Sequence, residues 1–329
     1  MKNNSSKANL KPIKRQHYVE YYLIRILRII LLCMPLDMAS FLMGKIWRII
    51  APFNTRHSRV LRHIKWAMGD EYTPAEREKI ARNMWENLGR TFCESMIAER
   101  VLKNPKRIAV NEAVFRHWNE ECSEGALLLT HHFGNWELSS AATVLYSDRK
   151  VLGIYKSIKN PLVEAYFLNK RKILFPGGLY SEQSGAAKKA LEGVRAGYDM
   201  AMVCDLRQLR GTIVKFFDMP FAVSNFPETI AIRYKKPVFV AQLRRLKGAY
   251  FTLDAKLIDY EITGDLKQDS HNLTQSVHSE FEKWVRQNPE QWMWAPFRWN
   301  RRRKPMKKPI SWEEHCKLSH PPKPNKLDN

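Results

Sequence analysis

Cysteine is scarce and poorly arranged for chemistry. The 329 residues hold only five, Cys33, Cys93, Cys122, Cys204 and Cys316. They are odd in number, far apart and form no CxxC pair, which argues against a disulfide framework or a structural zinc site and fits a reducing compartment. Acidic charge is also in short supply. Asp plus Glu total 33 against 55 Lys plus Arg, a formal net charge of +22. That surplus draws polyanions such as nucleic acid, anionic lipid, a phosphorylated substrate or an acidic protein, and does not choose among them. Long uncharged apolar runs are missing too. Within residues 18–52 the longest is Ile29 to Leu36, far below the ~18–20 residues of a clean membrane span. It contains Pro35, which kinks or ends a helix. There are no repeats and no phosphate-binding GxGxxG or GxxxxGK spacing, so Gly177-Gly178 reads as a plain turn. Five early basic residues, Lys2, Lys7, Lys11, Lys14 and Arg15, are not followed by a secretory cleavage pattern.

What is present divides the chain into four parts. Residues 1–17 form a basic N-terminal tail. Residues 18–52 are dominated by Tyr, Leu, Ile, Met and Trp, interrupted by Glu20, Arg25, Arg28, Asp37, Lys45 and Arg48. Three readings fit: an amphipathic helical pair lying in a membrane interface, a poor spanning helix with snorkelling arginines, or a buried hairpin of a soluble domain. The basic tail ahead of this apolar stretch favours membrane association. Residues 53–300 carry the main domain, and residues 301–329 a basic polar C-terminal tail containing Arg301-Arg302-Arg303-Lys304, Lys307 and Lys308. The apolar fraction of 44% suffices for a packed core.

Residues 73–103 predict a helix that opens with a capping box, Thr73-Pro74-Ala75-Glu76. Its stripe of Ile80, Met84, Leu88, Phe92 and Met96 marks packing and no chemistry. From Gly125 onward, short apolar strands (126–130, 150–155, 199–205, 237–243) alternate with helical stretches near 136–146, 161–174, 184–196 and 226–235. Phe251 to Leu257 alternates as a late strand with one solvated face, and 270–287 returns to helix. The expected fold is α/β, with a mixed, largely parallel central sheet flanked by helices and preceded by the apolar helical segment.

The stretch Leu127-Leu-Leu-Thr-His-His-Phe-Gly-Asn-Trp-Glu137 carries the chemistry. A buried strand ends in histidine, a Gly-Asn turn follows, and Glu137 opens the next helix. Catalytic groups of open α/β sheets gather at the carboxyl ends of strands. His132 is the candidate general base and Glu137 the carboxylate that orients it, a base-plus-orienter pair whose nucleophile would be the substrate's own hydroxyl. Structural roles remain open: one core and one surface histidine, with Glu137 favouring a helix start. A metal site using His131, His132 and Glu137 is disfavoured because neighbours on a strand point to opposite faces.

His132-Phe-Gly-Asn-Trp-Glu137 resembles the HxxxxD/E motif of the lysophospholipid acyltransferase superfamily. More specifically it resembles that of the bacterial lipid A biosynthesis (late, or secondary) acyltransferases. Further features agree in order: Tyr155-Lys156, Asn160-Pro161-Leu162 and Arg171; Asp205 closing a strand; Phe216-Phe217 with Pro220 and Ala222; and Asn288 to Trp294 with Arg298-Trp299. The resemblance runs from about residue 20 to 303. Departures are Asp218 where the family usually has Gly, Pro296 where it has His, and Asp205-Leu-Arg-Gln208 in place of an Asp-Gln pair.

The resemblance implies an O-acyltransferase that moves a fatty acyl chain from an acyl carrier protein thioester to a hydroxyl of a phosphorylated glycolipid, a lipid A precursor. It works at an anionic membrane, the bacterial inner membrane, with its active site on the cytoplasmic face. It implies catalysis by His132 and Glu137, and substrate binding by Arg171, Lys156, Asn160 and Asp205. A thioester needs no activation, so no cofactor and no metal is expected. Arg171 would clamp a phosphate, against a plain reading as surface charge between Lys170 and Lys172. Trp292, Trp294 and Trp299 suit a lipid groove or the core equally. Rival readings are another lipid acceptor such as a glycerophospholipid, a non-catalytic lipid-binding homologue, and a nucleic-acid-binding protein. The last lacks any recognition pattern, so no nucleic-acid partner is expected.

Overall fold

Residues 12–182, 185–299 and 309–319 are described in a computed structural model. Two N-terminal helices, α1 (Arg15–Leu32) and α2 (Leu36–Ile50), are separated at Cys33-Met34-Pro35, where Pro35 caps α2. Helices α3 (Arg56–Met68) and α4 (Pro74–Met96) follow. The capping box forms as expected: Thr73 N donates to Glu76 Oε2 at 2.7 Å, and Glu76 N to Thr73 Oγ1 at 3.3 Å. The predicted 73–103 helix is broken at Ile97, whose φ of −124° leaves the helical region, and the short α5 (Ala98–Leu102) continues it.

A seven-stranded sheet forms the centre. Its strands are β1 (Ile108–Val110), β2 (Leu127–Gly134), β3 (Val151–Tyr155), β4 (Gly178–Ser181), β5 (Asp199–Val203), β8 (Val238–Lys247) and β9 (Tyr250–Ile258), in the order β1-β9-β8-β2-β5-β3-β4. Every pairing is parallel except the β8–β9 hairpin. Strands β6 (Arg207–Phe216) and β7 (Met219–Val223) make a separate antiparallel hairpin. Short or connecting helices α6 (Glu112–Arg116), α7 (Ala141–Tyr146), α8 (Pro161–Arg171), α9 (Ala186–Arg195), α10 (Phe226–Tyr234) and α11 (Leu266–Gln287) cover the sheet, and α12 (Trp312–Ser319) lies within the C-terminal segment.

The mixed, largely parallel sheet flanked by helices is thus present. Besides the break at Ile97, local expectations needed three corrections. Gly178, read as part of a plain turn, instead begins β4. The 136–146 helix shortens to α7, because residues 136–138 form a separate 3-10 turn. The described part of the C-terminal tail holds α12, tied to the β6–β7 turn by Trp312 N donating to Asp218 O at 2.8 Å. The basic run 301–308 lies outside the described residues.

Alternation along β2 explains the layering. Leu127, Leu129 and Phe133 join a core with Val194, Ile230, Val277 and Phe281 from α9, α10 and α11. On the other side, Leu138, Ala141, Val163 and Phe167 pack with Leu31, Ala39 and Met43 of α1 and α2. No helix among the described residues is long and apolar enough to cross a membrane. The N-terminal pair nevertheless leaves large apolar side chains in the open: Val19, Tyr22, Leu23, Ile26, Ile29 and Ile30 on α1, and Phe41, Ile46, Ile49 and Ile50 on α2.

Candidate active site

Residues Thr130 and His132 lie on one face of β2, and His131 on the other. His131 is fully buried, its ring 4.3 Å from that of Phe281 and 5.1 Å from that of Phe133. Burial pushes its imidazole down to about 3. It is a neutral core residue, and opposite faces keep it from sharing a ligand with His132.

His132 reaches the wall of a cavity of about 350 Å³ at the carboxyl ends of β2, β3 and β5, lined also by Trp136, Glu137, Tyr155, Lys156, Arg171 and Arg207. Its Nδ1 meets Asp205 Oδ1 at 2.5 Å. Asp205 Oδ2 accepts from His132 N at 3.1 Å and from Trp292 Nε1 at 2.8 Å, and pairs with Arg298 Nη1 at 3.0 Å. Both Asp205 and Arg298 are fully buried. Burial alone would raise the Asp205 carboxyl, but Arg298 and His132 outweigh it and hold the group well below the usual carboxylate range. An ionised carboxylate only accepts, so Nδ1 carries the imidazole proton and Nε2 keeps its lone pair.

The sheet register makes this pair. Thr130 lies opposite Val203 on the neighbouring parallel strand, so two residues further on His132 comes opposite Asp205. Asp205 was expected to bind substrate; with no exposed surface and its oxygens taken by His132, Trp292 and Arg298, it holds the histidine instead.

Glu137 was expected to orient His132. Its two oxygens are instead taken by Arg171, from Nε at 2.8 Å and Nη2 at 2.7 Å, a two-pronged pair. The reason is position. The 3-10 turn carries Glu137 past the strand end toward the last turn of α8, where Arg171 sits. Arg171 and Lys156 both line the cavity. Asn160 does not: it is buried, caps α8 by accepting from Leu162 N, and donates to His17 O and Glu20 Oε2 of α1. Its capping duty follows from the Asn-Pro start of a helix.

The three C-terminal tryptophans are core residues. Trp292 and Trp294 are fully buried and Trp299 nearly so. A bridge between Phe133 and Trp292, and Met293 N donating to His132 O at 2.9 Å, dock this segment beside β2.

An apolar slot adjoins the cavity and shares Thr130, Ser139 and Ala201 with it. Its roof is Val114, Phe115 and Trp118, and its floor crosses β5, β2, β8 and β9. Small residues stand in a line there, since Thr130 lies opposite Ala241 and Ala241 opposite Ala255. Two strand spacings give this line a length of about 10 Å, in a slot with a cavity volume of about 50 Å³.

The turn between β6 and β7 explains one departure noted in the sequence. Phe217 and Asp218 both have positive φ, 51° and 56°. Glycine is the residue that adopts this conformation freely, and Asp is among those that tolerate it.

No individual curated protein matches the chain. The sequence profile described as bacterial lipid A biosynthesis acyltransferase matches residues 9–301. The α/β sheet and its histidine-bearing cavity thus sit in a chain that belongs to the bacterial lipid A biosynthesis acyltransferase family.

Proposed function

We propose that the protein transfers a fatty acyl chain from a carrier-protein thioester to a hydroxyl of a phosphorylated glycolipid of the lipid A type, with His132 as general base. One observation carries this reading: His132 stands at the cavity wall with Nδ1 on a buried, ionised Asp205 and Nε2 open. Asp205 fixes the tautomer and stabilises the imidazolium. Nε2 takes the acceptor's hydroxyl proton as that oxygen attacks the thioester carbonyl. The tetrahedral intermediate collapses, the C–S bond breaks, and the leaving thiolate recovers the proton from His132.

Arg171 spends two of its five N–H donors on Glu137. The remaining donors, with Lys156, receive an acceptor phosphate or the developing oxyanion. Glu137 thus serves by fixing Arg171 rather than by touching the imidazole. The apolar slot, about 50 Å³ in volume, receives the start of the acyl chain. The exposed apolar faces of α1 and α2 rest in the anionic membrane interface, where helices with one such face lie flat.

The test pairs purified protein, acyl carrier protein loaded with a fatty acid, and a lipid A precursor. Glycolipid mass reports the transfer. His132→Ala should lower turnover by ~10²–10⁴ with the melting curve preserved. Near-wild-type turnover in that variant would sink the assignment of the base. Unchanged glycolipids in cells lacking the protein would sink the acceptor.

A further inference from the structure

Helix α4, whose apolar stripe suggested packing alone, also carries a buried polar stripe: Asn87, Thr91 and Glu94, spaced at four and three residues. Glu94 has no exposed surface. Arg245 of β8 grips it with both prongs, Nη1 to Oε1 at 2.5 Å and Nη2 to Oε2 at 2.9 Å. Two further donors reach the same carboxylate: Asn135 Nδ2 at 2.7 Å and Ser40 Oγ at 2.7 Å. Asn135 itself is completely buried, and its backbone N donates to Leu243 O at 2.9 Å. The preceding carbonyl, Gly134 O, accepts from Asn87 Nδ2 at 3.0 Å and Thr91 Oγ1 at 2.9 Å. Gly134 has a φ of +55°, and a Cβ there would lie 1.9 Å from Leu243 O, so only glycine fits at this position.

Gly134 and Asn135 are the turn between His132 and Glu137. The chain that joins the base to Glu137 runs through them. Burying an ionised carboxylate is costly unless a cation and further donors face it, and here the cation comes from β8 and one donor from the turn itself. We infer that Glu94, held by Arg245, is a positioning residue for acyl transfer: it fixes Asn135 and so sets the spacing of His132 and Glu137. The inference rests on the acyl-transfer reading above. Glu94 touches neither substrate nor base and acts through the turn. A displacement of about 1 Å at a catalytic group can cost on the order of 10²-fold in rate.

Ser40 supplies the control. It donates to the same carboxylate from α2, at Oε1 rather than the Oε2 that Asn135 binds. The full-length protein is assayed with acyl carrier protein thioester and a lipid A precursor, with kcat, KM and the melting midpoint read for Asn135→Ala, Glu94→Gln, their double variant, and Ser40→Ala. Expected is a loss of kcat of about 10–100-fold in Asn135→Ala and Glu94→Gln with KM little changed. The double variant should be no worse than the poorer single, because both break one link. Ser40→Ala should lower the midpoint and leave kcat alone. If Glu94→Gln does not fold, Asn135→Ala against Ser40→Ala decides by itself. Wild-type kcat in Asn135→Ala, or a kcat that simply follows the midpoint through Ser40→Ala, overturns the inference and leaves Glu94–Arg245 a structural ion pair. A wild-type protein that transfers no acyl chain overturns the activity and the inference together.

Discussion

Replacing Asp205 with asparagine keeps its shape and removes one charge. The carboxylate now serves four groups: His132 Nδ1 on one oxygen, and His132 N, Trp292 Nε1 and Arg298 on the other. An amide has one oxygen. Facing that oxygen toward the three donors leaves the NH₂ against His132 Nδ1. The imidazole must then accept at Nδ1 and carry its proton on Nε2, where the base is needed. The opposite flip sets an NH₂ against three donors and is worse. Losing a positioned base costs ~10²–10⁴ in rate, or about 3–5 kcal/mol of transition-state stabilisation. Arg298 stays buried and loses its counter-charge, a change that can cost about 3–5 kcal/mol of fold stability.

The two effects separate in the assay. Initial rates of carrier-thiol release are taken across pH on protein shown to be folded by its melting curve. The expected variant is folded, less stable and at least about 10²-fold slower. A folded Asp205→Asn protein with wild-type rate and an unshifted pH profile would refute the tautomer argument. Were Glu137→Gln alone to remove the acidic limb of that profile, where the base loses its proton, the orienting carboxylate would be Glu137 after all.

Arg171→Lys keeps the charge and loses the fork, so it should raise KM for the glycolipid or lower kcat; unchanged kinetics would make Arg171 a surface charge. Ala241→Phe should fill the apolar slot and shift the preferred donor to a shorter acyl chain, read by competition between carrier thioesters; an unaltered chain-length profile would place the acyl chain elsewhere. Three buried histidines predict acid lability. Burial pushes His63 and His131 down to about 3 and His278 to about 4. Below the unfolded value near pH 6.5 the unfolded chain binds more protons, so stability is full above that pH and lost as pH falls. At pH 5 the three together cost about 6 kcal/mol, a large share of a typical fold, and a melting midpoint flat between pH 7 and 5 would contradict it. Glu228 works in the other direction. Burial pushes its carboxyl up to about 8, and no side-chain donor meets either oxygen. The folded state holds its proton where the unfolded chain releases it, so stability falls as pH rises from about 4.5 toward 8. Glu228→Gln should therefore stabilise the protein by about 3 kcal/mol at pH 7 and by nothing near pH 4.5; destabilisation at pH 7 would show that the carboxyl has a partner.

Strand periodicity and capping made much of the fold legible. The capping box at Thr73, the break at Pro35 and the apolar strands β2, β3, β5 and β8 are local signals, and each formed where the local rule applies. Strands β1, β4 and the β6–β7 hairpin carried weak signals. β1 has three residues and β4 only four. β6 leaves much of its length exposed, so no apolar alternation announces it.

The site divides along the same line. His132 was visible because a buried strand ending in histidine is a local pattern. Its partner was not, because Asp205 stands 73 residues away and only the β2–β5 adjacency brings it alongside. Asp205 had been noticed as the end of a strand; the missing information was which strand lay next to it. HxxxxE invites the nearer carboxylate, and proximity in sequence misleads here, because a 3-10 turn turns Glu137 away from the imidazole toward Arg171. Glu94 left a fainter mark. Asn87, Thr91 and Glu94 recur at helical spacing beside the apolar stripe of α4, and a polar row next to a buried face has to find buried partners. Here they are Arg245 and the Gly134-Asn135 turn. The motif's own turn residues are therefore held from outside the motif. Asp205 holds His132 from just past the end of β5, and Glu94 holds the turn from α4, so the geometry of the six-residue signature depends on both neighbours.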